Sequence, residues 1–369
     1  MKILLLNSIL YTAEKNVIPQ VDSIKDCMIY NLALGFKELG HDVTLVAASE
    51  YKPVRDEEYD FDVVFIPSVL KKFFPPAVLP FQPGLWHWLK REKKHYDFVI
   101  SSEVFSFHSL FAAMHCSDKL MIWHESTGLQ KKMKQIPAWI WHNMIARFFL
   151  RKIPILTRSE DAKRFILKYL SHVSDVVIEH GVNLTRFNYS REKKDQFIVV
   201  GQLIPRKNIP GILHKFTGLT ENPKYSHFQL VIAGRGEMES DLKNQVRESG
   251  LEKNVAFVGH LPHVELNRRI AESLAMLVDT KKDLNMVSIP ESIVSGTPVI
   301  TNRLPTTSLF ISRNHAGIAK DDWDETDLME IIENNAVYVE HCIALREQLS
   351  AKHSAQQFLD FYTGCRGEG

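Results

Sequence analysis

Leu274-Ala275-Met276-Leu277-Val278 runs directly into D-T-K-K-D-L-N-M-V-S-I-P-E-S-I-V-S-G-T-P-V-I-T-N, residues 279–302. The unbroken apolar run has the character of a strand buried on both faces. It gives way to a charged, irregular loop. Pro290 suits the first turn of a helix, where its fixed φ and missing N–H cost little. Gly296 marks the end of that short helix, and Pro298-Val299-Ile300 opens the next strand. Strand, loop, helix and strand in this order form the repeating unit of a parallel α/β sheet. A helix N-terminus facing a polar loop offers unpaired N–H groups and the positive end of the helix dipole, so the loop reads as an anion site. Asp283 and Glu291 frame it. Spacing alone also allows a plainer reading, with Asp283 a surface acid beside Lys281 and Lys282, and Glu291 a complement to the dipole.

The same grammar extends toward the N-terminus. Lys2-Ile3-Leu4-Leu5-Leu6, a helical period from Asp26 to Leu39 closed by Gly40, and Val43-Thr44-Leu45-Val46-Ala47 make one complete β-α-β unit. Such a unit implies a right-handed crossover. Further strands are expected at 63–66, 98–101, 120–123, 155–157 and 176–178. The polar stretch 179–194 reads as a boundary. The pattern then restarts, with strands at 197–200, 229–233, 255–258 and 275–278, and a short one near 317–318. A helix is expected at 325–334 and one long amphipathic stretch at 338–362. The fold class is therefore α/β, with two Rossmann-like domains facing a central cleft. Their expected limits are 1–180 and 181–350, with a C-terminal helix and tail, 351–369, packing back on the first domain.

Composition excludes several classes. A formal net charge of +1 argues against nucleic-acid binding by bulk charge. Cys27, Cys116, Cys342 and Cys365 are scattered, with no C-x-x-C pair, so neither a disulfide frame nor a zinc site is expected. No apolar run reaches the roughly 18 residues of a membrane span, and the N-terminus lacks the features of a signal peptide. A cytoplasmic location is expected.

Several segments resemble family-four glycosyltransferases in order and spacing. Phe197-Ile-Val-Val-Gly-Gln-Leu-Ile-Pro-Arg-Lys-Asn208 resembles the segment G-R-L-x-x-x-K-G. Leu230-Val-Ile-Ala-Gly-Arg-Gly236 resembles the strand and glycine turn that follow, although a tight turn alone explains those glycines. Asp283 to Glu291 falls on the E-x7-E motif, and Ser295 to Ile300 on G-x-P-V-I. In the first half, Gly40-His41-Asp42-Val43-Thr44 matches a G-H-x-V-T turn. The resemblance implies a GT-B fold and retaining, metal-independent transfer from a nucleotide diphosphate sugar, with no cofactor. It places donor contacts at Gln202, Arg206, Lys207, Glu291 and the N–H groups of Asn285, Met286 and Val287. It gives Asp283 and His124 catalytic roles near the sugar.

Departures accompany the match. Gln202 stands where the family usually carries a phosphate-binding arginine, with Arg206 the nearby substitute. Asp283 is one methylene shorter than the usual glutamate, and Leu284-Asn285-Met286 replaces G-F-G. These leave open a catalytically silent nucleotide-sugar-binding subunit. A sugar-nucleotide epimerase is a further alternative, but it needs carboxylates and histidines gathered on the first domain, and the sequence displays no such set. Asp322-Trp323-Asp324 reads as a helix N-cap rather than a metal motif. Two stretches, 70–96 and 130–152, interleave basic and aromatic residues. They suggest peripheral contact with an anionic membrane at the inner face of the cell membrane, and a sugar or lipid-linked acceptor.

Overall fold

The computed structural model describes residues 1–11, 18, 21–130, 135–282 and 286–367. It divides into two compact units, one of residues 1–181 with 351–369 and one of residues 182–350. The first carries seven parallel strands: β1 (Lys2–Leu6), β2 (Asp42–Ala48), β3 (Asp62–Ile66), β4 (Phe98–Ser102), β5 (Leu120–His124), β6 (Ile155–Thr157) and β7 (Val173–Val177). Their spatial order is β3-β2-β1-β4-β5-β6-β7. The second carries six: β8 (Gln196–Val200), β9 (Gln229–Ala233), β10 (Val255–Gly259), β11 (Met276–Leu277), β12 (Val299–Thr301) and β13 (Gly317–Ala319), ordered β10-β9-β8-β11-β12-β13. Each sheet is Rossmann-like, and together the units make a two-domain GT-B architecture.

Strand alternation sorts the first core into two layers. Ile3 and Leu5 point to the side covered by the helix Met28–Glu38. Leu4 and Leu6 point to the side covered by the helices Pro83–Glu92 and Phe107–Cys116. Phe358, Leu359 and Tyr362, from the final helix Ala351–Gly367, complete the first layer. Tyr362 stacks on Phe98 at 4.2 Å and donates to the Asp97 carbonyl. Gly35 allows the crossing with Met28–Glu38, because a Cβ there would lie 2.2 Å from the Ala351 carbonyl oxygen.

The long amphipathic stretch expected at 338–362 is broken. One helix runs Glu325–Ala344 and the next begins at Ala351, in the other unit. Between them Arg346 donates to the carbonyls of Val294 and Phe187, and Leu349 accepts from the Val182 N–H at 2.8 Å. Tertiary hydrogen bonds override a continuous helical period. The last strand of the first unit also lies earlier than expected, at 173–177. The short helix near Pro290 starts at Ser288, so the proline is its third residue rather than its first, still within the turn that lacks internal N–H partners. Gly296 closes that helix in a left-handed conformation, φ +70°. Asp324 caps the helix Glu325–Ala344 in a capping box with Asp327.

The glycine crossing is testable. Gly35→Val forces two backbones apart and is expected to destabilise the first unit by about 1–3 kcal/mol. Denaturant melts monitored at the tryptophans would measure the loss.

Candidate functional sites

In an open parallel sheet, chain winding reverses between two neighbouring strands and leaves a crevice at their carboxyl ends. Each unit has one such place, β1/β4 in the first and β8/β11 in the second. Both are lined by polar residues.

In the second unit, Gly201, Gln202, Lys207, Asp279, Thr280 and Met286 line a small hollow beside β8 and β11. The aliphatic stem of Lys207 lies beside Gly201, whose φ of +146° is a conformation that side-chain-bearing residues rarely adopt. The Gly201–Asn208 segment is fastened from several directions. A Cβ at Gly234 would lie 1.8 Å from the Gly201 carbonyl oxygen, and one at Gly236 would lie 2.3 Å from that of Leu203. Close backbone approach, beyond the turn itself, therefore requires those glycines. Asp279 Oδ2 accepts from Asn208 Nδ2 at 3.0 Å and from Lys215 Nζ at 2.9 Å. The Arg206 carbonyl accepts from the Lys281 N–H at 2.7 Å. Loop and strand exit thus hold each other, and Lys207 stands between them.

The sequence-predicted donor residues are only partly gathered here. Gln202, Lys207 and Met286 share the hollow, and Met286 also packs into the core with Ile289 and Ile293. Arg206 is exposed and is not among the lining residues. Val287 is exposed at the helix start, and Glu291 is half-buried in the first turn. Asp283 and Asn285 lie outside the described residues. Sequence reasoning missed Asp279 as an anchor, although its place immediately after a buried strand was the available signal.

In the first unit a cavity of about 300 Å³ collects strand-end residues: Asn7 after β1, Ser102 and Glu103 at β4, Glu125 after β5 and Arg158 after β6. Glu103 has φ +68°, a left-handed conformation that non-glycine residues seldom adopt. It is held there by three contacts: its N–H donates to the Trp123 carbonyl, and its own carbonyl accepts from Ser106 and Ser109 hydroxyls. One carboxylate oxygen accepts from the Glu125 N–H at 2.8 Å, and the other lies 2.9 Å from His124 Nδ1. His124 is fully buried, stacked near Phe165, and stands behind Glu103 rather than on the cavity wall. Burial alone would push the Glu103 carboxyl up. The His124 ring, with help from Arg158 and the Glu125 N–H, outweighs burial and holds it down at about 2. Arg158 reaches Glu125 at 2.5 Å and lies over the Trp123 ring at 3.8 Å.

The structure thereby corrects one expectation. The sequence displayed no gathered set of carboxylates and histidines on the first domain, yet Glu103, Glu125, His108, His142 and Arg158 line one cavity. They come from separate segments that only the strand order brings together.

The segment 28–186 matches the model of glycosyltransferase family 4, and 183–335 matches glycosyl transferases group 1. The class is thus a GT-B glycosyltransferase, and the chain belongs to the group 1, family-four-like glycosyltransferases. It is 25% identical over 170 residues to the O-antigen chain mannosyltransferase RfbU of Salmonella typhimurium, covering 46% of this chain and 47% of that one. It is 24% identical over 186 residues to an alpha-monoglucosyldiacylglycerol synthase of Streptococcus pneumoniae, covering 46% and 42%. The chain thus matches about half the length of these curated relatives. Among solved structures, a Rickettsia africae glycosyltransferase superposes with a TM-score of 0.67 at 14% identity, covering 98% of both chains. Anabaena HepE in complex with UDP gives 0.65 at 13% identity, covering 99% of this chain and 100% of that one. These last two are likenesses of fold.

The Glu103 carboxyl is lower in the folded protein than its ordinary 4.5. Its stabilisation is therefore complete above about pH 4.5 and is lost as pH falls toward 2. Glu103→Gln is expected to lower stability at pH 7 by about 1–3 kcal/mol, with the deficit shrinking over that acid range. Urea denaturation of both proteins at several pH values checks the sign and the window.

Proposed function

We propose that this protein is a retaining, metal-independent glycosyltransferase that moves a sugar from a nucleotide diphosphate sugar to an acceptor hydroxyl. The observation that carries the reading is Lys207, beside Gly201 at the carboxyl-end switch point of the second sheet. As the bond from sugar C1 to the diphosphate oxygen breaks, negative charge grows on the leaving phosphate. A preorganised ammonium beside that position stabilises the charge without reorganising. N–H groups of Asn285, Met286 and Val287 would add to this, with Glu291 on the ribose hydroxyls and Asp283 near the sugar. With retention, the entering and leaving oxygens share one face of C1. The acceptor oxygen forms the new bond, and its proton passes to the departing diphosphate. His124 acts in this reading as a positioning residue, through Glu103.

Surface polysaccharide or glycolipid synthesis is the favoured setting, in keeping with the O-antigen mannosyltransferase and the glycolipid synthase among its relatives. We place the protein in the cytoplasm, at an anionic membrane face. No helix among the described residues is long and apolar enough to cross a membrane. The segment Ile136–Phe149 divides its residues instead. Ala138, Trp141 and Ala146 face the core, while Trp139, Met144 and Phe148 are exposed, Phe148 by 75%. Phe73 is 72% exposed beside the exposed Lys71 and Lys72. Apolar tips flanked by cations suit an interfacial position.

Lys207→Ala is expected to lower kcat by about 10²–10³-fold, in line with loss of one charge-stabilising donor. Asp283→Ala is expected to abolish turnover. A panel of nucleotide sugars followed by NMR of the products tests this. Nucleotide binding without turnover on any donor would instead favour the silent subunit, and a sugar epimerised on its nucleotide would favour the epimerase. For the membrane contact, sedimentation with anionic vesicles should carry down the wild type but less of a Trp139→Ser/Phe148→Ser variant. Absence of binding at low salt would overturn it.

A further inference from the structure

Among the described residues, Lys207 and Asp279 are the charged side chains that line the hollow of the second unit. Together they carry no net charge, a poor setting for a diphosphate, because a carboxylate close to a bound anion weakens it by repulsion. The aspartate is nonetheless needed where it stands. Its Oδ2 accepts from Asn208 Nδ2 at 3.0 Å, and Asn208 follows Lys207 directly in a left-handed conformation, φ +47°. Gly211 leaves room for that contact: a Cβ there would lie 2.6 Å from Asn208 Nδ2 and 3.1 Å from Asp279 Oδ2. Thr280 and Lys281, the next two residues, both donate to the Arg206 carbonyl, at 3.1 and 2.7 Å. The exit of β11 is thus joined to both residues that flank Lys207.

The charge of Asp279 is met from the opposite side. Lys215, on the helix Ile209–Glu221, does not line the hollow. Its Nζ lies 2.9 Å from the same Oδ2, and the two side chains are largely buried, 19% and 12% exposed. Behind the ammonium stands the buried ring of Trp323, its centroid 3.9 Å away. An indole face attracts a cation, more strongly where water is excluded. Trp323 therefore keeps Lys215 against Asp279. All these groups belong to the second unit. In Asp322-Trp323-Asp324 it is thus the residue between the acids, rather than the acids, that bears on the hollow.

We propose that Lys215 is a positioning residue that neutralises Asp279, so that the aspartate ties down the neighbours of Lys207 without opposing a diphosphate bound beside it. In formal charge, Lys207 and Asp279 cancel, and Lys215 restores one positive charge. Lys215 acts through Asp279 and needs no contact with the ligand. The inference rests on the donor binding proposed above.

Titration calorimetry of the full chain with UDP, GDP and inorganic pyrophosphate tests it. Lys215→Met keeps the aliphatic stem but leaves Asp279 unneutralised. Its affinity for each ligand that the wild type binds is expected to fall about tenfold in dilute buffer, the scale of one unit charge near a partly screened anion. That deficit should shrink as salt is raised. Lys215→Met/Asp279→Asn removes both charges, keeps an oxygen for Asn208, and should recover most of the affinity. A purely structural loss would be deepened by the second substitution and would not respond to salt. If Lys215→Met does not fold, Asp279→Asn alone carries the test: an ammonium left in excess should tighten binding, whereas loss of a plain anchor would loosen it. Unchanged affinity in Lys215→Met, a double variant no better than the single one, or weaker binding in Asp279→Asn would overturn this inference alone. A wild type that binds none of the three ligands would overturn it together with the transferase reading.

Discussion

Parallel strands that wind away from each other on either side of a sheet cannot be closed over at their carboxyl ends, and everything chemical in this protein follows from that constraint. Between β1 and β4, and again between β8 and β11, the loops diverge and leave backbone ends and short side chains facing a gap. The two gaps are furnished differently. In the second unit Lys207 stands on a loop that packs against Gly234 and Gly236 and is tied to Asp279 through Asn208. In the first, carboxylates and neutral histidines are held by strand ends and a strained Glu103. One topology thus carries a lysine at one gap and carboxylates with histidines at the other.

The rigidity of each gap has a local origin. In the second unit it comes from backbone packed on backbone, which is why Gly234 and Gly236 admit no side chain. On the other side it comes from hydrogen bonds that fix ring tautomers and from the Glu103–His124 contact. Such strain at a non-glycine residue persists only where the surroundings over-determine it. The three contacts on the Glu103 backbone do so.

The strands were legible in the sequence because each is a short apolar run bounded by polar residues. Every strand expected in the first 170 residues lies within two residues of its observed place. Gln202, Lys207 and Met286, which share the hollow of the second unit, were legible through their motif order. Glu103, His108, His142 and Arg158 were not, since each sits alone beside a different strand or helix and no local spacing joins them. The bend at 345–350 was hidden too, because it depends on Arg346 reaching carbonyls far away in sequence. The stretch 130–152 read as interleaved basic and aromatic residues but gave no hint of its π-helical turn, Trp141–Ala146. That widened turn lets Leu150 rather than Phe149 return to the core, and leaves both phenylalanines outside.

The glycine crossing at Gly35 bears on the order in which the chain assembles. Phe358, Leu359 and Tyr362 complete the first core but are synthesised last. During N-to-C synthesis the first sheet emerges early with one layer unfinished, while all of 182–350 is made and able to close by itself. The first domain to begin folding is therefore the second to finish, and its apolar layer beside Met28–Glu38 stays uncovered for the whole interval.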